Sequence, residues 1–212
     1  MSVEREARHQ VQGAPGQPGA TGPGDGVIRL AGLALVAGPL IWAAGQFAGG
    51  VPESDDAVPP PVEMITGCAF LVGLAALAAV MLASRATGDR KGKALPIIAL
   101  VLFPIAIICN LGSIPYDTYE EMPLWVAVTD PAWPLSQLMM IVSAVAVIRV
   151  ARWKGPLRFL PLAGALWVIF TAVGEGFTGP EFGPYIFTAW MVCTYVAAGA
   201  LIVAKPAAVR GV

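Results

Sequence analysis

Residues Arg90 to Gly112 read "RKGKALPIIALVLFPIAIICNLG", a cluster of cations followed by an almost unbroken apolar run. About 20 apolar residues are enough for a helix to cross the hydrocarbon core of a bilayer. This run has that length, and Asn110 is the polar side chain near its far end. The stretch therefore predicts a transmembrane helix that starts at a basic, aqueous face.

Five further apolar runs accompany this one, and together they predict an all-α bundle of six transmembrane helices. The chain has 212 residues, of which 57% are hydrophobic and 13% charged, and a typical soluble domain carries about twice that charged fraction. The connections are too short to hold a separate soluble domain. The predicted spans are residues 27–48, 62–84, 94–114, 132–151, 158–177 and 185–204, within a membrane domain of residues 27–205.

The charges predict how this bundle is oriented. All 13 Lys and Arg residues lie on one side of the six-span topology, in or beside the tails and the second and fourth connections, and ten of the 14 acidic residues lie on the other side. Because basic residues concentrate on the cytoplasmic side of membrane proteins, both termini are predicted to be cytoplasmic. The Gly, Ala, Val and Pro-rich composition is typical of a high-GC bacterium, so a plasma membrane location is expected.

The two tails have little apolar bulk. Residues 1–26 are rich in Gly, Pro, Gln and Ala and cannot bury enough surface to offset chain entropy, which predicts a disordered cytoplasmic tail. The following apolar run is too long for a cleavable signal peptide, so it is expected to remain as the first span. Residues 206–212 are predicted to form a short cytoplasmic tail.

Spans one, three and five share a spacing between a cation and a polar residue. In each span the polar residue follows the cation by 17 positions, and successive cations are 64 and 65 residues apart. One interpretation is that the chain contains three copies of a helical hairpin. The other is that any outward helix starts with a cation and meets a polar residue near its exit. The pairs are Arg29 and Gln46, Lys93 and Asn110, and Arg158 and Glu175.

Glu175 is the least ordinary of these polar residues, because it is a carboxylate at the end of an apolar run with no cation close in sequence. Seventeen residues rise about 25 Å along a helix, which is less than the roughly 30 Å hydrocarbon core. Negative charge is also disfavoured at a helix C-terminus. Three interpretations are open: a protonated carboxyl bonded to Asn110 or Gln46, a group that binds a cation or headgroup, or a side chain that snorkels to water.

Other residues are predicted to lie near the same outer rim. Glu63 falls in the first turn of span two and Asp117 in the longest outer connection, and both join Glu175 as candidate catalytic groups. Small and hydroxyl residues at helical spacing are also typical of close-packed membrane helices, so packing is the alternative interpretation of this set. The candidate ligand-binding residues are Gln46, Asn110, Gln137, Trp167, Thr171 and Tyr195.

Missing residue types narrow the chemistry. The single histidine, His9, lies in the N-terminal tail, so histidine-ligated haem, zinc or copper is not expected. Cys68, Cys109 and Cys193 lie within spans and form no C-x-x-C motif, which disfavours disulfide chemistry. No phosphate-binding glycine loop occurs, and the basic loops are too short to bind nucleic acid. No cofactor, no metal and no nucleic-acid partner is therefore expected.

Two functions from different classes remain. The favoured one is a non-catalytic membrane component that binds membrane lipids or another membrane protein, or that assists a transporter. The alternative is a cyclase-like intramembrane acid–base enzyme acting on an apolar lipid or isoprenoid. In that enzyme Glu175 or Asp117 would be the general acid, oriented by Asn110 and Gln46. The rings of Trp167 and Tyr195 would shield a cationic intermediate.

The outer rim carries a geometric prediction that bears on both functions. If it is a site, Glu63, Asn110 and Glu175 should converge in one pocket together with Asp117 or Gln137.

Overall fold

The computed structural model describes residues 24–50, 56–171 and 183–210, and in these ranges the chain is all-α. In chain order the helices are α1 (Asp25–Gly49), α2 (Pro61–Ala83), α3 (Ala94–Ser113), α4 (Leu124–Thr129), α5 (Ala132–Val150), α6 (Leu160–Ala165) and α7 (Gly183–Ala204). After α6 the chain turns at Leu166 and continues as a helix to Thr171, so the apolar helical segment as a whole is Leu160–Thr171.

Five helical segments are long and apolar enough to cross a membrane, and the protein is a multi-pass membrane protein. The shorter segment Leu160–Thr171 is also apolar but covers only the first part of predicted span five. The five segments are Asp25–Gly49, Pro61–Ala83, Lys91–Ser113, Leu124–Val150 and Tyr185–Ala204.

The predicted span boundaries lie within two residues of the bounds of α1, α2, α3, α5 and α7. Helix α1 already begins at Asp25, inside the tail that the sequence predicts to be disordered. The rest of that tail, residues 1–23, lies outside the described residues, as do residues 172–177 of predicted span five.

Local chemistry explains two of the helix boundaries. Pro61 occupies the first turn of α2, where its missing N–H costs nothing. Gly50 ends α1 at φ 77°.

Helix α1 packs against α2 on one side and α7 on the other, while α3 lies between α2 and α5, and α6 packs on α5 and α7. Glycines allow several of these close approaches. A Cβ on Gly38 would lie 2.6 Å from the Ala69 carbonyl oxygen, and one on Gly164 would lie 2.7 Å from the Tyr195 ring. Small residues let membrane helices approach in this way, so the glycine positions serve packing between helices.

The helices of each predicted hairpin contact one another: α1 with α2, α3 with α5, and α6 with α7. Antiparallel neighbours joined by short connections pack in this way in any helical bundle. The threefold repeat therefore stays a prediction.

One end of the bundle, here named the basic end, gathers the start of α1, the α2–α3 and α5–α6 connections and the C-terminal turn. The Arg210 guanidinium pairs with the Asp25 carboxylate, and the Lys154 backbone N–H donates to the Ala208 carbonyl at 3.2 Å. The first and last described segments of the chain therefore lie at the same end of the bundle.

The two connections at the basic end are joined to each other. Arg152 pairs with Asp89 at 2.6 Å, and the Trp153 indole N–H donates to the Ser84 hydroxyl at 3.0 Å. The Arg152 hydrogen bond holds the pKa of Asp89 below its ordinary value. Trp153 is only 1% exposed, so this end is closed by a buried indole beneath an exposed ion pair.

The opposite end, here named the cavity end, carries the α1–α2 connection and the segment between α3 and α5. These two loops join through an isolated antiparallel bridge at Ala57–Thr118. The Val58 N–H donates to the Asp117 carbonyl at 3.0 Å, and the Tyr119 N–H donates to the Asp56 carbonyl at 3.2 Å. This pairing, the loop clasp, ties the two loops together above the helix ends.

Candidate functional site

A cavity of about 410 Å³ lies at the cavity end of the bundle. Cavities of this size accommodate small molecules and usually combine apolar walls with a few polar groups. The lining includes residues of α1, α2, α3, α5, the segment Leu160–Thr171 and both clasped loops. It consists of Trp42, Gln46, Pro59, Glu63, Met64, Gly67, Cys109, Asn110, Ser113, Tyr119, Met122, Asp130, Trp133, Pro134, Trp167 and Thr171.

Three indole rings form the apolar part of the lining, here named the tryptophan floor. Trp42 meets Trp167 at 5.3 Å between ring centroids and Trp133 at 6.1 Å, and Trp133 meets Trp167 at 5.8 Å. All three pairs are edge-to-face, the arrangement that aromatic quadrupoles favour. Trp42 and Trp167 are 6% and 7% exposed, so the floor is fixed by packing against the bundle.

Polar side chains from four helices lie at the cavity end of the bundle. Gln46 of α1 donates from Nε2 to the Glu63 carboxylate of α2 at 3.4 Å, and its Oε1 accepts from the Thr188 hydroxyl of α7 at 2.5 Å. Asn110 of α3 donates to the Met64 carbonyl at 3.5 Å. Gln46 therefore holds one orientation, whereas the bonds made by Glu63 and Asn110 are at the long limit for a hydrogen bond.

The loop between α3 and α5 adds a second carboxylate and a phenol. Asp130 accepts a weak hydrogen bond from the Cys109 thiol at 3.8 Å, and Tyr119 lies in the 3₁₀ turn Tyr119–Glu121. Burial, and after it the negative charge of Asp130, raises the pKa of the Tyr119 phenol. Its hydroxyl therefore stays protonated and remains a donor beside the cavity.

Local sequence explains why these groups can meet. Glu63 falls in the first turn of α2 because the helix begins at Pro61. Gly67 lies one turn further along, where a Cβ would come within 3.2 Å of Asn110 Nδ2 and 3.6 Å of Trp42 Nε1. The absence of a side chain at Gly67 thus leaves room for the Asn110 amide and the Trp42 ring at the cavity.

Five of the predicted site residues line this cavity: Gln46, Glu63, Asn110, Trp167 and Thr171. They come from α1, α2, α3 and the segment Leu160–Thr171, which are remote from one another in sequence. Their assignment to a binding role remains a prediction, because shared geometry does not by itself identify a ligand.

The other predicted residues lie elsewhere or outside the described ranges. Asp117 is exposed in the loop clasp, Gln137 is fully buried on α5, and Tyr195 is fully buried against Gly164, so none of them lines the cavity. Glu175 lies outside the described residues. Of the predicted convergence, the structure thus brings together Glu63 and Asn110, without Asp117 or Gln137.

Sequence reasoning missed Asp130, Tyr119 and two of the three tryptophans as lining residues. Trp42 precedes Gln46 by four positions on α1, so helical spacing was a signal that could have found it. Trp133 directly precedes the proline that opens predicted span four. Asp130 and Tyr119 carried no comparable signal, because a loop sequence does not reveal which of its side chains folds over a cavity.

Metal and redox centres find little support in the described ranges. Among those residues no group of three or more His, Cys, Asp and Glu side chains is placed to hold a metal ion. Cys68, Cys109 and Cys193 are free thiols. The polar groups of the cavity lining are carboxylates, amides, indoles, hydroxyls and the Cys109 thiol.

The chain was compared with known protein families and with solved structures. It matches no family and no solved structure. Five long apolar helices define it as a multi-pass membrane protein.

Proposed function

We propose that this protein is a six-span, non-catalytic component of a bacterial plasma membrane that binds the polar end of a lipid or similar amphiphile. The observation that carries the proposal is the cavity at the end of the bundle, where polar groups from several helices converge above the tryptophan floor. An indole floor with a polar rim suits a molecule that has one apolar and one polar part. Membrane lipids are the partners this predicts.

Contacts at the basic end support the six-span topology. The Asp25–Arg210 pair and the Lys154–Ala208 hydrogen bond bring the first and last described segments to one end. A chain that starts and finishes at the same end crosses the bundle an even number of times. With five long helices, the segment Leu160–Thr171 would supply the start of the sixth crossing. The positive-inside tendency then assigns the basic end to the cytoplasm and the cavity to the outer face.

Two features favour binding over the cyclase-like enzyme. Of the groups that this enzyme would use, Asp117 and Tyr195 lie away from the cavity, and Glu175 lies outside the described residues. Glu63 is the candidate catalytic carboxylate that does line it. Its nearest polar partner is the Gln46 amide at 3.4 Å. A carboxylate beside an amide can orient a ligand, and this role requires no proton transfer.

Native mass spectrometry of the full chain, released from lipid nanodiscs, tests the proposal. Thr171→Phe puts a ring into the cavity wall, and Thr194→Phe is its matched control. Both threonines bond to the carbonyl four residues before them, at 2.9 and 2.8 Å, but Thr194 does not line the cavity. We expect Thr171→Phe to lose bound lipid that the wild type and Thr194→Phe retain. Equal lipid retention by all three proteins would refute the cavity as a lipid site.

A further inference from the structure

We infer that the cavity selects a molecule whose polar end carries an ammonium group. This inference deepens the proposed function and rests on it. Two features of the lining support it: its acidic side chains and its aromatic surface.

The charge of the lining is negative. It contains the carboxylates of Glu63 and Asp130, and among the residues that the structure describes around the cavity there is no Lys, Arg or His. The hydrogen-bond partners of these carboxylates are an amide at 3.4 Å and a thiol at 3.8 Å. Glu63 is half-buried and Asp130 is exposed, and a carboxylate that is partly withdrawn from water, as Glu63 is, needs a counter-charge or strong hydrogen bonds. A cationic ligand would provide both.

The aromatic surface favours an organic cation over a metal ion. Trp42, Trp133 and Trp167 all contribute to the lining, and the negative face of an indole attracts ammonium groups more strongly than any other side-chain ring does. Magnesium and calcium instead require several oxygen ligands in a defined geometry. Within the described ranges no cluster of three potential metal-binding side chains exists, so an ammonium group fits this lining better than a divalent ion.

The test uses full-length protein in nanodiscs that contain equal amounts of phosphatidylethanolamine and phosphatidylglycerol, with bound lipid counted by native mass spectrometry. The two lipids share their tails and phosphate, but only the first carries an ammonium group. We expect phosphatidylethanolamine to be enriched about fivefold on the protein, the size expected of one ammonium–indole contact. The double variant Glu63→Gln, Asp130→Asn should lose this preference, whereas Asp117→Asn, an exposed carboxylate away from the cavity, should keep it.

A competition arm identifies the source of the ammonium group. Displacement of bound lipid by free ethanolamine would assign a soluble amine, and lack of displacement would assign the lipid headgroup, and both results agree with the ammonium inference. Equal binding of the two lipids, or enrichment of phosphatidylglycerol, would overturn it. If Thr171→Phe still reduces total bound lipid in that case, the proposed function survives and only the ammonium inference fails.

Discussion

The two ends of this bundle treat charge in opposite ways. At the basic end, Arg152 pairs with Asp89 at 2.6 Å, and Arg158 donates to the Ile148 carbonyl at 2.6 and 3.0 Å. At the cavity end, the partners of the Glu63 and Asp130 carboxylates among the described residues are an amide and a thiol at longer distances. Within the described ranges, all three ion pairs lie at the basic end.

This difference separates structural charges from available ones. A charge whose partner belongs to the same chain has its interactions satisfied and contributes to stability. A charge that is partly buried without such a partner lowers stability and is a candidate for binding an external molecule. Substitutions at the basic end should therefore change stability, and those at the cavity end should change binding.

The largest expected effect compares one tryptophan from each end. Trp153→Ala removes a side chain that is 1% exposed and its bond to Ser84, so we expect a loss of about 4 kcal/mol in unfolding free energy. Trp133→Ala removes a half-buried ring from the wall of an existing cavity, and we expect about half that loss. Unfolding in detergent with increasing denaturant measures both. A larger loss for Trp133→Ala would reverse the comparison.

A smaller effect should distinguish the two kinds of charge directly. Arg158→Ala leaves the Ile148 carbonyl without its two guanidinium bonds, which should cost about 1 kcal/mol. Glu63→Gln keeps the shape of the side chain and removes its charge, so its unfolding free energy should stay within about 0.5 kcal/mol of the wild type. The same denaturation experiment measures both variants. A strongly destabilised Glu63→Gln protein would mean that Glu63 is a structural charge.

The smallest effect concerns pH at the basic end. Because Arg152 lowers the pKa of Asp89, this ion pair stabilises the folded state above the ordinary aspartate pKa of about 4. The contribution disappears as the pH falls through the lowered value. Asp89→Asn should therefore melt slightly below the wild type at neutral pH, and the difference should shrink as the pH falls below about 4 and vanish below the lowered pKa of Asp89. A melting difference that does not change with pH would exclude this ion pair as its source.

The sequence was sufficient to predict the five long helices because apolar length is a local property. The predicted C-terminal ends of spans 62–84 and 94–114 each lie one residue from those observed. Gln46 and Asn110, which share the 17-residue spacing from a cation, both line the cavity.

Helix rotation and loop position were not predictable in the same way. Gln137 has the polarity of a site residue, but α5 turns it into the packed interior, where its Oε1 has no partner within the described ranges. Tyr119 lines the cavity and Asp117 does not, although the backbones of both residues pair with the α1–α2 loop. Both outcomes depend on contacts between segments that are distant in sequence.

The loop clasp would affect how fast a molecule enters and leaves the cavity. Tyr119 belongs to the clasp and Pro59 follows it in the chain, and both line the cavity, so the clasp borders the cavity. Its hydrogen bonds join backbone groups, and most side-chain changes at these positions would leave it intact, whereas proline at Val58 would remove a donor. The time that a bound molecule stays in the cavity would then depend on the loop clasp, and its affinity would depend on the lining residues. The two properties could therefore change independently during evolution.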